Sequence, residues 1–476
     1  MAIGKPEVAV AGEPKQSSRA TEDKNPWLTM RFSLWLLTGL LLLGFAGHIT
    51  ISSQALSTTQ SIQMQIDNAP ISGTVNVSPG TYSGTLVVNK PIHLIGASRD
   101  NTIIDGGGLS PVILVNRSDV QITGFTVRNA LSYGQGILLK NAEHVNVTSN
   151  NISAAGDGDG VSLDGSNNNT IAGNIFSNNL NAVNATDSNY NLVARNSGTD
   201  NIVGVQLWNA GHNVVANNTW RGGESGFFLD MAYQNLLARN AAIKGSEIGI
   251  HLVDSKNNTV IENSVEFNRF GINIQNSQNN TFYHNNILSS GLFQVNFVST
   301  SDKAVTTWDN GTAGNYWDDY KGSDTDMDGI GDTNLPADGV DLKPLMHSYV
   351  PILLAVKVSL NTASGPEPLT VNLSAHVLGG RPPYSYSWNL GDGTVSTFRN
   401  VTHVYNSLGT FVVKLQVSDL VGSTDQDTSS VNVGPSSAGA ANLPWSMVGI
   451  VGAVVVVGAV VGLFFLRRRS NRKSLG

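Results

Sequence analysis

Four aspartates alternate with other residues in a short loop near the end of the folded region. They occupy positions 1, 3, 5 and 9 of the loop and are Asp324, Asp326, Asp328 and Asp332. Hard cations such as Ca²⁺ bind about six to eight oxygens, which alternate carboxylates and the main-chain carbonyl of Ile330 can largely supply. An EF-hand would need Glu at position 12, where Leu335 stands. The loop is predicted to bind Ca²⁺ and to stabilise the fold, and a solvated acidic turn is the alternative.

A second pair of carboxylates, Asp157 and Asp159, lies two residues apart between glycines. Glycosidases place two carboxyls roughly 5–10 Å apart, as acid and as base or nucleophile. The pair is therefore a candidate catalytic site for a carbohydrate-active enzyme. No companion carboxylate pair accompanies it in the next repeat, so the catalytic pattern is incomplete.

The chain around these residues repeats itself about every 22 residues. A small residue followed by an apolar one recurs at Gly136-Ile137, Gly160-Val161, Ala182-Val183, Gly204-Val205, Gly226-Phe227, Gly249-Ile250 and Gly271-Ile272. An asparagine recurs at the same spacing, at Asn150, Asn174, Asn196, Asn218, Asn240, Asn263 and Asn285. A unit this short buries its apolar face only by stacking on copies of itself, which predicts a parallel β-solenoid. The asparagines are then expected to form a ladder, each bonded to the coils above and below.

Side chains of a β-strand alternate between its two faces, so the repeat predicts which residues share the outer face. One outward row is expected to contain Lys140, Asp164, Thr186, Trp208, Asp230, Val253 and Gln275, and its neighbour Leu138, Ser162, Asn184, Gln206, Phe228, His251 and Asn273. Aromatic rings beside carboxylates and amides suit a sugar-binding groove. The candidate ligand-binding residues are Asp164, Gln206, Trp208, Phe228, Asp230 and His251. An ordinary polar face is the alternative.

Both ends of the repeat region resemble known families. Residues 60–108, with the strings Pro79-Gly80-Thr81-Tyr82 and Ile104-Asp105-Gly106-Gly107-Gly108, resemble the opening of pectin-lyase-like right-handed parallel β-helices, with residues 60–68 as a capping helix. Asn315-Tyr316-Trp317-Asp318, the acidic loop and Asp341-Leu342-Lys343-Pro344 resemble the C-terminal signature of NosD-like proteins, also called periplasmic copper-binding proteins. The resemblance covers about residues 60–348 and implies a right-handed parallel β-helix. Copper sites favour His, Met or Cys, and the nine His lie in no motif, so copper is not expected.

Residues 352–434 change in character and resemble the PKD domain, an immunoglobulin-like β-sandwich. The resemblance rests on the strings Tyr384-Ser385-Tyr386-Ser387-Trp388-Asn389-Leu390-Gly391-Asp392-Gly393 and Gly409-Thr410-Phe411-Val412-Val413. Asn389 stands where members of the family usually have Asp. About 80 residues with several short strands suit such a sandwich. The domain is expected to act as a spacer or adhesion unit.

Two apolar segments flank these domains. Residues 32–51 and 445–466 are each about long enough to cross a bilayer, and five basic residues follow the second segment directly. Because basic clusters favour the cytoplasmic side, residues 52–444 are predicted to be extracytoplasmic. The first segment is interpreted as an anchor, with a cleaved signal peptide as the alternative. Gly458 and Gly462 form a GxxxG pair that can support self-association.

The remaining short segments complete this predicted organisation. Residues 1–31 are expected to form a disordered cytoplasmic tail, residues 435–444 a flexible linker, and residues 467–476 a basic cytoplasmic tail.

Composition excludes several classes of function. The chain has no Cys, which rules out disulfides, zinc fingers and thiol nucleophiles. Its net charge of -7 argues against a broad nucleic-acid-binding surface. N-glycosylation sequons occur in the predicted exported region, among them Asn76, Asn116, Asn184, Asn310, Asn372 and Asn400.

The sequence thus predicts a membrane-anchored cell-surface protein that binds glycans or neighbouring surface proteins. A carbohydrate-active lyase, hydrolase or epimerase is the first alternative. An accessory factor for the maturation of an exported metalloenzyme, suggested by the NosD resemblance alone, is the second.

Overall fold

A computed structural model of the protein describes residues 57–153, 157–244, 246–288 and 290–435. Within these ranges, no helix is both long and apolar enough to cross a membrane.

Several predicted segments lie outside the described residues and stay predictions. These are the two apolar segments 32–51 and 445–466, the tails 1–31 and 467–476, and all but the first residue of the linker.

Residues 57–317 form three long parallel sheets. Sheet 1 contains the strands Leu86–Val88, Ile113–Val115, Gln135–Lys140, Asp159–Asp164, Asn181–Thr186, Val203–Trp208, Ser225–Asp230, Ile248–Val253, Phe270–Gln275 and Phe293–Phe297. Sheet 2 contains Gly73–Val77, Ile92–Gly96, Gln121–Thr123, Asn146–Thr148, Thr170–Ala172, Leu192–Ala194, Val214–Ala216, Leu236–Ala238, Thr259–Ile261 and Thr281–Tyr283. Sheet 3 contains Ser57–Thr58, Gly80–Ser83, Thr102–Asp105, Thr126–Arg128, Asn151–Ser153, Ile175–Ser177, Ser197–Thr199, Thr219–Arg221, Ala241–Ile243, Ser264–Glu266, Asn286–Leu288 and Tyr316–Trp317.

Each coil contributes one strand to each sheet, and neighbouring strands in a sheet come from successive coils. Val161, Val183 and Val205 are direct partners along sheet 1, as are Ile171 and Val193 along sheet 2. Equivalent residues therefore lie in straight rows, and the predicted parallel β-solenoid is confirmed.

Inward-facing residues of the three sheets form one continuous apolar core. The small residue of each repeat makes room for a side chain of sheet 3. A Cβ on Gly204 would lie 2.5 Å from the ring of Trp220. In the preceding coil Ala182 takes the place of this glycine, and Gly198 occupies the row of Trp220. Small and large residues thus compensate each other across the core, as close packing requires.

The predicted asparagine ladder lies between sheets 2 and 3. The Oδ1 atom of Asn196 accepts hydrogen bonds from the main-chain N–H (3.0 Å) and the Nδ2 atom (3.1 Å) of Asn174, and its own Nδ2 donates to the carbonyl of Ile171 at 2.8 Å. The pattern continues without a break through Asn150, Asn174, Asn196, Asn218, Asn240, Asn263, Asn285 and Asn315. The prediction of a ladder is confirmed.

A second asparagine ladder lies between sheets 1 and 2, and sequence analysis did not identify it. Its members are Asn169, Asn191, Asn213, Asn235, Asn258 and Asn280. All six are buried. Buried amides are hydrogen-bonded in stable proteins, and here each asparagine forms hydrogen bonds with the asparagine of the next coil.

The two ends of the solenoid are closed differently. The helix Thr59–Asn68 covers the first coil with the buried side chains of Ile62 and Ile66, as predicted. At the other end, the buried carboxylate of Asp341 accepts from the main-chain N–H of Asn315 (2.7 Å) and the indole N–H of Trp317 (2.9 Å). Asp341 therefore ends the first ladder by replacing the next asparagine. The short helix Thr300–Ala304 lies between the last two strands.

Residues 355–434 form a β-sandwich. One sheet contains Ala355–Leu360, Leu369–Leu378 and Asn400–Tyr405, and the other contains Ser364–Pro366, Ser385–Asn389, Val395–Ser396, Gly409–Ser418 and Thr424–Gly434. Trp388 and Tyr405 are buried between them, and the Tyr405 hydroxyl donates to the Leu390 carbonyl at 2.9 Å.

The sandwich packs against the outer face of sheet 2, and both belong to one compact unit. Val421 from a sandwich loop is fully buried among Ala216, Ala238 and Ile261. The Asn217 amide donates to the carbonyl of Val421 at 2.7 Å.

An ionic network borders this apolar contact. Glu262 accepts from Arg239 at 2.6 Å and from Arg381 of the sandwich at 3.1 Å. Arg239 also lies 3.5 Å from the buried carboxylate of Asp419. The sequence predicts a spacer, and a contact of the sandwich with the solenoid is not expected from it.

Candidate functional site

The register of sheet 1 brings five of the six candidate ligand-binding residues together. Gln206, Phe228 and His251 are successive partners in one outward row, and Trp208 and Asp230 are partners in the next row. We call these five residues the aromatic patch. Asp164 lies in the row of Trp208 but two coils away, where it pairs with Lys140 at 3.8 Å.

Two stacked rings form the centre of the patch. The rings of Phe228 and His251 lie 4.8 Å apart at 17°. Burial lowers the pKa of His251, so the imidazole is neutral near pH 7. Its Nε2 atom has no hydrogen-bond partner within the described residues. Trp208, on the neighbouring strand, is 40% exposed, which leaves part of its indole accessible to a ligand.

The carboxylate of Asp230 lies beside these rings in an unfavourable environment for a charge. Burial, and then the charge of Asp254, raise the pKa of Asp230. Asp254 is not among the residues predicted from the sequence, although it directly follows Val253, the partner of Asp230 in the next coil. A ligand that donates a hydrogen bond or brings a positive charge would relieve this environment.

Asp159 lies farther along sheet 1 and is held by three donors. Its Oδ2 accepts from the Ser162 hydroxyl (2.7 Å) and the Asn184 amide (2.9 Å), and its Oδ1 accepts from the Asn181 amide at 2.7 Å. We call these four residues the Asp159 cluster. The Oδ1 atoms of Asn181 and Asn184 are buried without a partner in the described structure. The side-chain amide of Asn184, which begins a predicted sequon, therefore donates within this cluster.

Asp157 is exposed in the preceding loop, and its Oδ2 accepts from the Ser132 hydroxyl at 3.1 Å. The two predicted catalytic carboxylates thus have different surroundings, and Asp159 is fully engaged in hydrogen bonds. These contacts give Asp159 a structural role. Catalysis by Asp157 and Asp159 stays a prediction.

The acidic loop, residues 324–332, brings three of its four aspartates together. Carboxylate oxygens of Asp324, Asp326 and Asp332 lie within 4.8 Å of one another. Asp328 does not belong to this group and accepts from the N–H of Ile330 at 2.8 Å. Asp324 accepts from the N–H groups of Met327 and Gly329, which fixes the turn.

Electrostatics within the loop are uneven. Hydrogen bonds from the hydroxyl and N–H of Thr325 lower the pKa of Asp332. A hydrogen bond from the N–H of Asp328 lowers the pKa of Asp326, but the charges of Asp328, Asp332 and Asp324 outweigh it and raise that pKa overall. Oxygen ligands of this kind suit a hard cation such as Ca²⁺.

The histidines of the described chain do not fit a copper site. His212 stacks on Tyr190 at 4.7 Å, and His284 stacks on Tyr349 at 4.2 Å. His403 bonds Asp392 at 2.7 Å. Copper favours converging imidazole or sulfur ligands, whereas the group of metal-ligand type found in the described residues consists of carboxylates.

Comparison with known families agrees with the two domains. A family model described as periplasmic copper-binding protein (NosD) matches residues 64–192 and 116–322, and a PKD domain model matches residues 354–432.

Two solved structures match about half of the chain at low similarity. An alginate lyase from Paenibacillus sp. str. FPU-7 is 17% identical, with 50% of this chain and 97% of that chain covered and a TM-score of 0.35. Endopolygalacturonase I from Stereum purpureum is 13% identical, with 52% and 96% covered and a TM-score of 0.40. At these TM-scores the likeness carries no conclusion about activity.

A curated relative, the collagenase ColA from Bacillus cereus, is 49% identical over 49 residues. The match covers 10% of this chain, which spans only 5% of the length of that relative. Because the first family model covers more than half of the 476 residues, the chain belongs to the NosD family, and a PKD domain follows its parallel β-solenoid.

Proposed function

We propose that this protein is a membrane-anchored cell-surface protein whose aromatic patch binds a glycan. The observation that carries the proposal is the alignment of Trp208, Phe228 and His251 beside Gln206 and Asp230 on adjacent strands. Adjacent coils are about 4.8 Å apart, so the patch is comparable in length to two or three sugar units.

Sugars are bound by a combination of surfaces that this patch offers. The apolar face of a pyranose packs on an aromatic ring, and its hydroxyls bond to amides and carboxylates. The stacked Phe228 and His251 rings and the exposed edge of Trp208 supply the apolar surface. The side chains of Gln206 and Asp230 supply the polar groups.

Binding is favoured over cleavage by the placement of the carboxylates. Asp164 and Asp230 are three coils apart, or about 14 Å, which exceeds the roughly 5–10 Å of glycosidase pairs. Asp159 is occupied by three donors. A carbohydrate-active enzyme stays the second candidate, because Asp230 has a raised pKa beside Asp254, a pairing that active sites use.

The proposed location rests on the two apolar segments. Anchors at residues 32–51 and 445–466 would place both termini in the cytoplasm and the solenoid outside. Gly458 and Gly462 would allow two copies to associate in the membrane.

The full-length protein in detergent, applied to a glycan array, tests the binding function. Trp208→Ala should weaken the strongest binding about tenfold, because a lost aromatic anchor costs on the order of 1–2 kcal/mol. Phe398→Ala is the matched control, since Phe398 is 75% exposed on the sandwich. Equal binding by the wild type and Trp208→Ala would contradict the proposal.

A product assay on the bound glycans separates the two candidates. Cleavage that disappears in Asp230→Asn, or in Asp157→Ala and Asp159→Ala, would favour the enzyme over the binding protein.

We also propose that the acidic loop binds Ca²⁺ through Asp324, Asp326 and Asp332. The grouping of these carboxylates supports the proposal. The bound cation would hold the loop against the segment that follows it, where the N–H of Met346 donates to the Gly329 carbonyl at 3.0 Å.

A further inference from the structure

The first end of the solenoid carries almost no charge. Residues 57–89, which form the capping helix and the first coil, contain one charged side chain, that of Asp67, whereas 13% of the whole chain is charged. The opposite end is highly charged, because residues 318–343 contain eight Asp and two Lys. The two ends of the solenoid therefore suit different surroundings.

Apolar and neutral polar side chains make up the surface of the first end. Met64 lies on the helix face opposite to the buried Ile62 and Ile66, because successive helical residues are about 100° apart, and it is 54% exposed. Ile71, in the turn between the helix and sheet 2, is 77% exposed. Apart from Asp67, the other exposed residues between 60 and 72 are neutral, namely Gln60, Ser61, Gln65, Asn68, Pro70 and Ser72. We call the exposed residues of 60–72 the cap end.

A side chain of the capping helix closes the edge of sheet 1 at this end. The Nε2 atom of Gln63 donates to the carbonyl of Val87 at 3.0 Å, and the Oε1 atom accepts from the N–H of Val87 at 2.9 Å. Val87 lies in the first strand of sheet 1, so Gln63 occupies the main-chain groups that a strand of a second copy would need. This closure disfavours end-to-end pairing of two copies through sheet 1.

The first predicted anchor lies close to the cap end along the chain. Residues 52–56 separate the apolar segment 32–51 from residue 57. A chain spans at most about 3.6 Å per residue, so an anchor at 32–51 would keep residue 57 within about 20 Å of the bilayer. Exposed apolar side chains are stabilised in the headgroup region, and a neutral surface loses less hydration there than a charged one. The cap end meets both conditions, and the acidic opposite end meets neither.

We propose that the cap end rests on the bilayer surface, with Met64 and Ile71 in contact with the lipid headgroup region. The proposal rests on the proposed anchor at residues 32–51. Trp208 lies five strands and His251 seven strands beyond the first strand of sheet 1, or about 24–34 Å. A solenoid that stands on its cap end would therefore hold the aromatic patch clear of the headgroups.

Fluorescent probes on the full-length protein in phosphatidylcholine vesicles test the proposal. The chain has no Cys, so Met64→Cys and Ile71→Cys each introduce a single thiol for labelling. Leu342→Cys is the matched control, because Leu342 is 60% exposed at the acidic opposite end. Lipids that carry a quencher near the headgroup should quench the probes at positions 64 and 71 at least threefold more than the probe at position 342.

A charge placed in the contact should weaken it. Ile71→Asp, combined with Met64→Cys, should reduce the lipid quenching of the probe at position 64 by half or more, because a carboxylate loses hydration in the headgroup region. Leu342→Asp in the same background adds the same charge at the opposite end and should leave the quenching unchanged. Far-ultraviolet circular dichroism checks that each variant keeps its β-structure.

Flotation of the vesicles separates this inference from the anchor on which it rests. If the protein floats with the vesicles but all three probes are quenched equally, the contact is overturned and the anchor stands. Probes at positions 64 and 71 that are shielded from aqueous iodide, yet not quenched by the lipid, would assign the cap end to a second copy or another protein and would also overturn the contact. Protein that does not float with the vesicles would overturn both.

Discussion

Asp159 and Asp230 show how neighbouring side chains give two aspartates of one sheet different surroundings. Three donors surround Asp159, whereas Asp230 is partly buried near Asp254. The sequence places Asp230 in an outward row by strand alternation, but it does not place Asp159 there, because Asp159 has the parity of the buried Val161 and Leu163. It does not show which one is engaged, because the partners come from the next coil and depend on side-chain conformation.

The acidic loop is likewise predictable in part. Alternation indicates that the aspartates converge, and three of them do. Asp328 lies outside the group, and its carboxylate accepts from the N–H of Ile330 two residues later. Short aspartate side chains often form such local bonds, and their spacing alone does not reveal which ones will.

Calcium should stabilise the protein through this loop. With a dissociation constant of about 0.1–1 mM, as in extracellular modules, millimolar Ca²⁺ should raise the melting temperature by about 1–2 °C. Asp326→Asn should abolish the shift, because it removes one of the three grouped carboxylates.

Asp309→Asn is the control, since Asp309 lies outside the acidic loop and accepts from the N–H of Gly311. Differential scanning calorimetry with and without chelator gives the measurement. An undiminished shift in Asp326→Asn would place the cation elsewhere.

At the scale of the elements, the ladders account for how a chain without cysteine holds its coils together. Each asparagine amide forms hydrogen bonds with main-chain N–H and C=O groups that the turn would otherwise leave without a partner. The first ladder was predicted because its spacing matches the apolar repeat. The second has the same spacing, but its Asn-Asn-Thr context in several coils also produces sequons, and it was not recognised as structural.

Removing one step of the first ladder should destabilise the solenoid strongly. Asn218→Ala leaves the N–H and the amide of Asn196 without their acceptor, and the carbonyl of Val193 without its donor. Each buried unpaired group costs on the order of 1–3 kcal/mol, so we expect a loss of about 3 kcal/mol or more in unfolding free energy.

Urea unfolding followed by circular dichroism measures this loss. Asn101→Ala is the comparison, because Asn101 is exposed and its side chain makes, within the described residues, a single weak hydrogen bond of 3.4 Å with Thr102. Similar midpoints for both variants would show that the ladder contributes little.

The terminal caps differ in how far the sequence reveals them. The helix at residues 60–68 is expected from the resemblance of the first coils to the opening of pectin-lyase-like β-helices. Asp341 does not, because it lies 26 residues beyond Asn315, outside the repeat. Only the folded chain shows that its carboxylate replaces the missing asparagine.

At the scale of the whole molecule, the attachment of the sandwich to the solenoid is the feature that the sequence did not reveal. Both domains are recognisable from their own motifs. No sequence motif contains Arg239, Glu262 or Val421. Their contacts form only when the coils are stacked and the sandwich packs against them. The apolar outer positions of sheet 2, Ala216, Ala238 and Ile261, are the signal that could have indicated a covered surface.

This attachment should couple the unfolding of the two domains. Val421→Asp would place a charge in a fully buried apolar contact, which costs several kcal/mol. Glu262→Gln would leave Arg239 and Arg381 without their shared carboxylate. We expect both variants to separate one calorimetric transition into two and to expose the connection near residue 350 to protease.

Leu408→Asp serves as the control, because Leu408 is 55% exposed on the sandwich. Far-ultraviolet circular dichroism checks that each variant keeps its β-structure. A single, unshifted transition in both test variants would mean that the contact adds no appreciable coupling.

The constant register also has an evolutionary consequence. A duplication or deletion of one whole repeat would change the length of the rod by about 4.8 Å and leave every row of side chains continuous, whereas a partial insertion would interrupt both ladders at once. The length of the solenoid can therefore change in evolution by whole coils, except where the sandwich contacts the coils of Asn217, Arg239 and Glu262. Those coils should keep a constant spacing even when the number of repeats elsewhere differs.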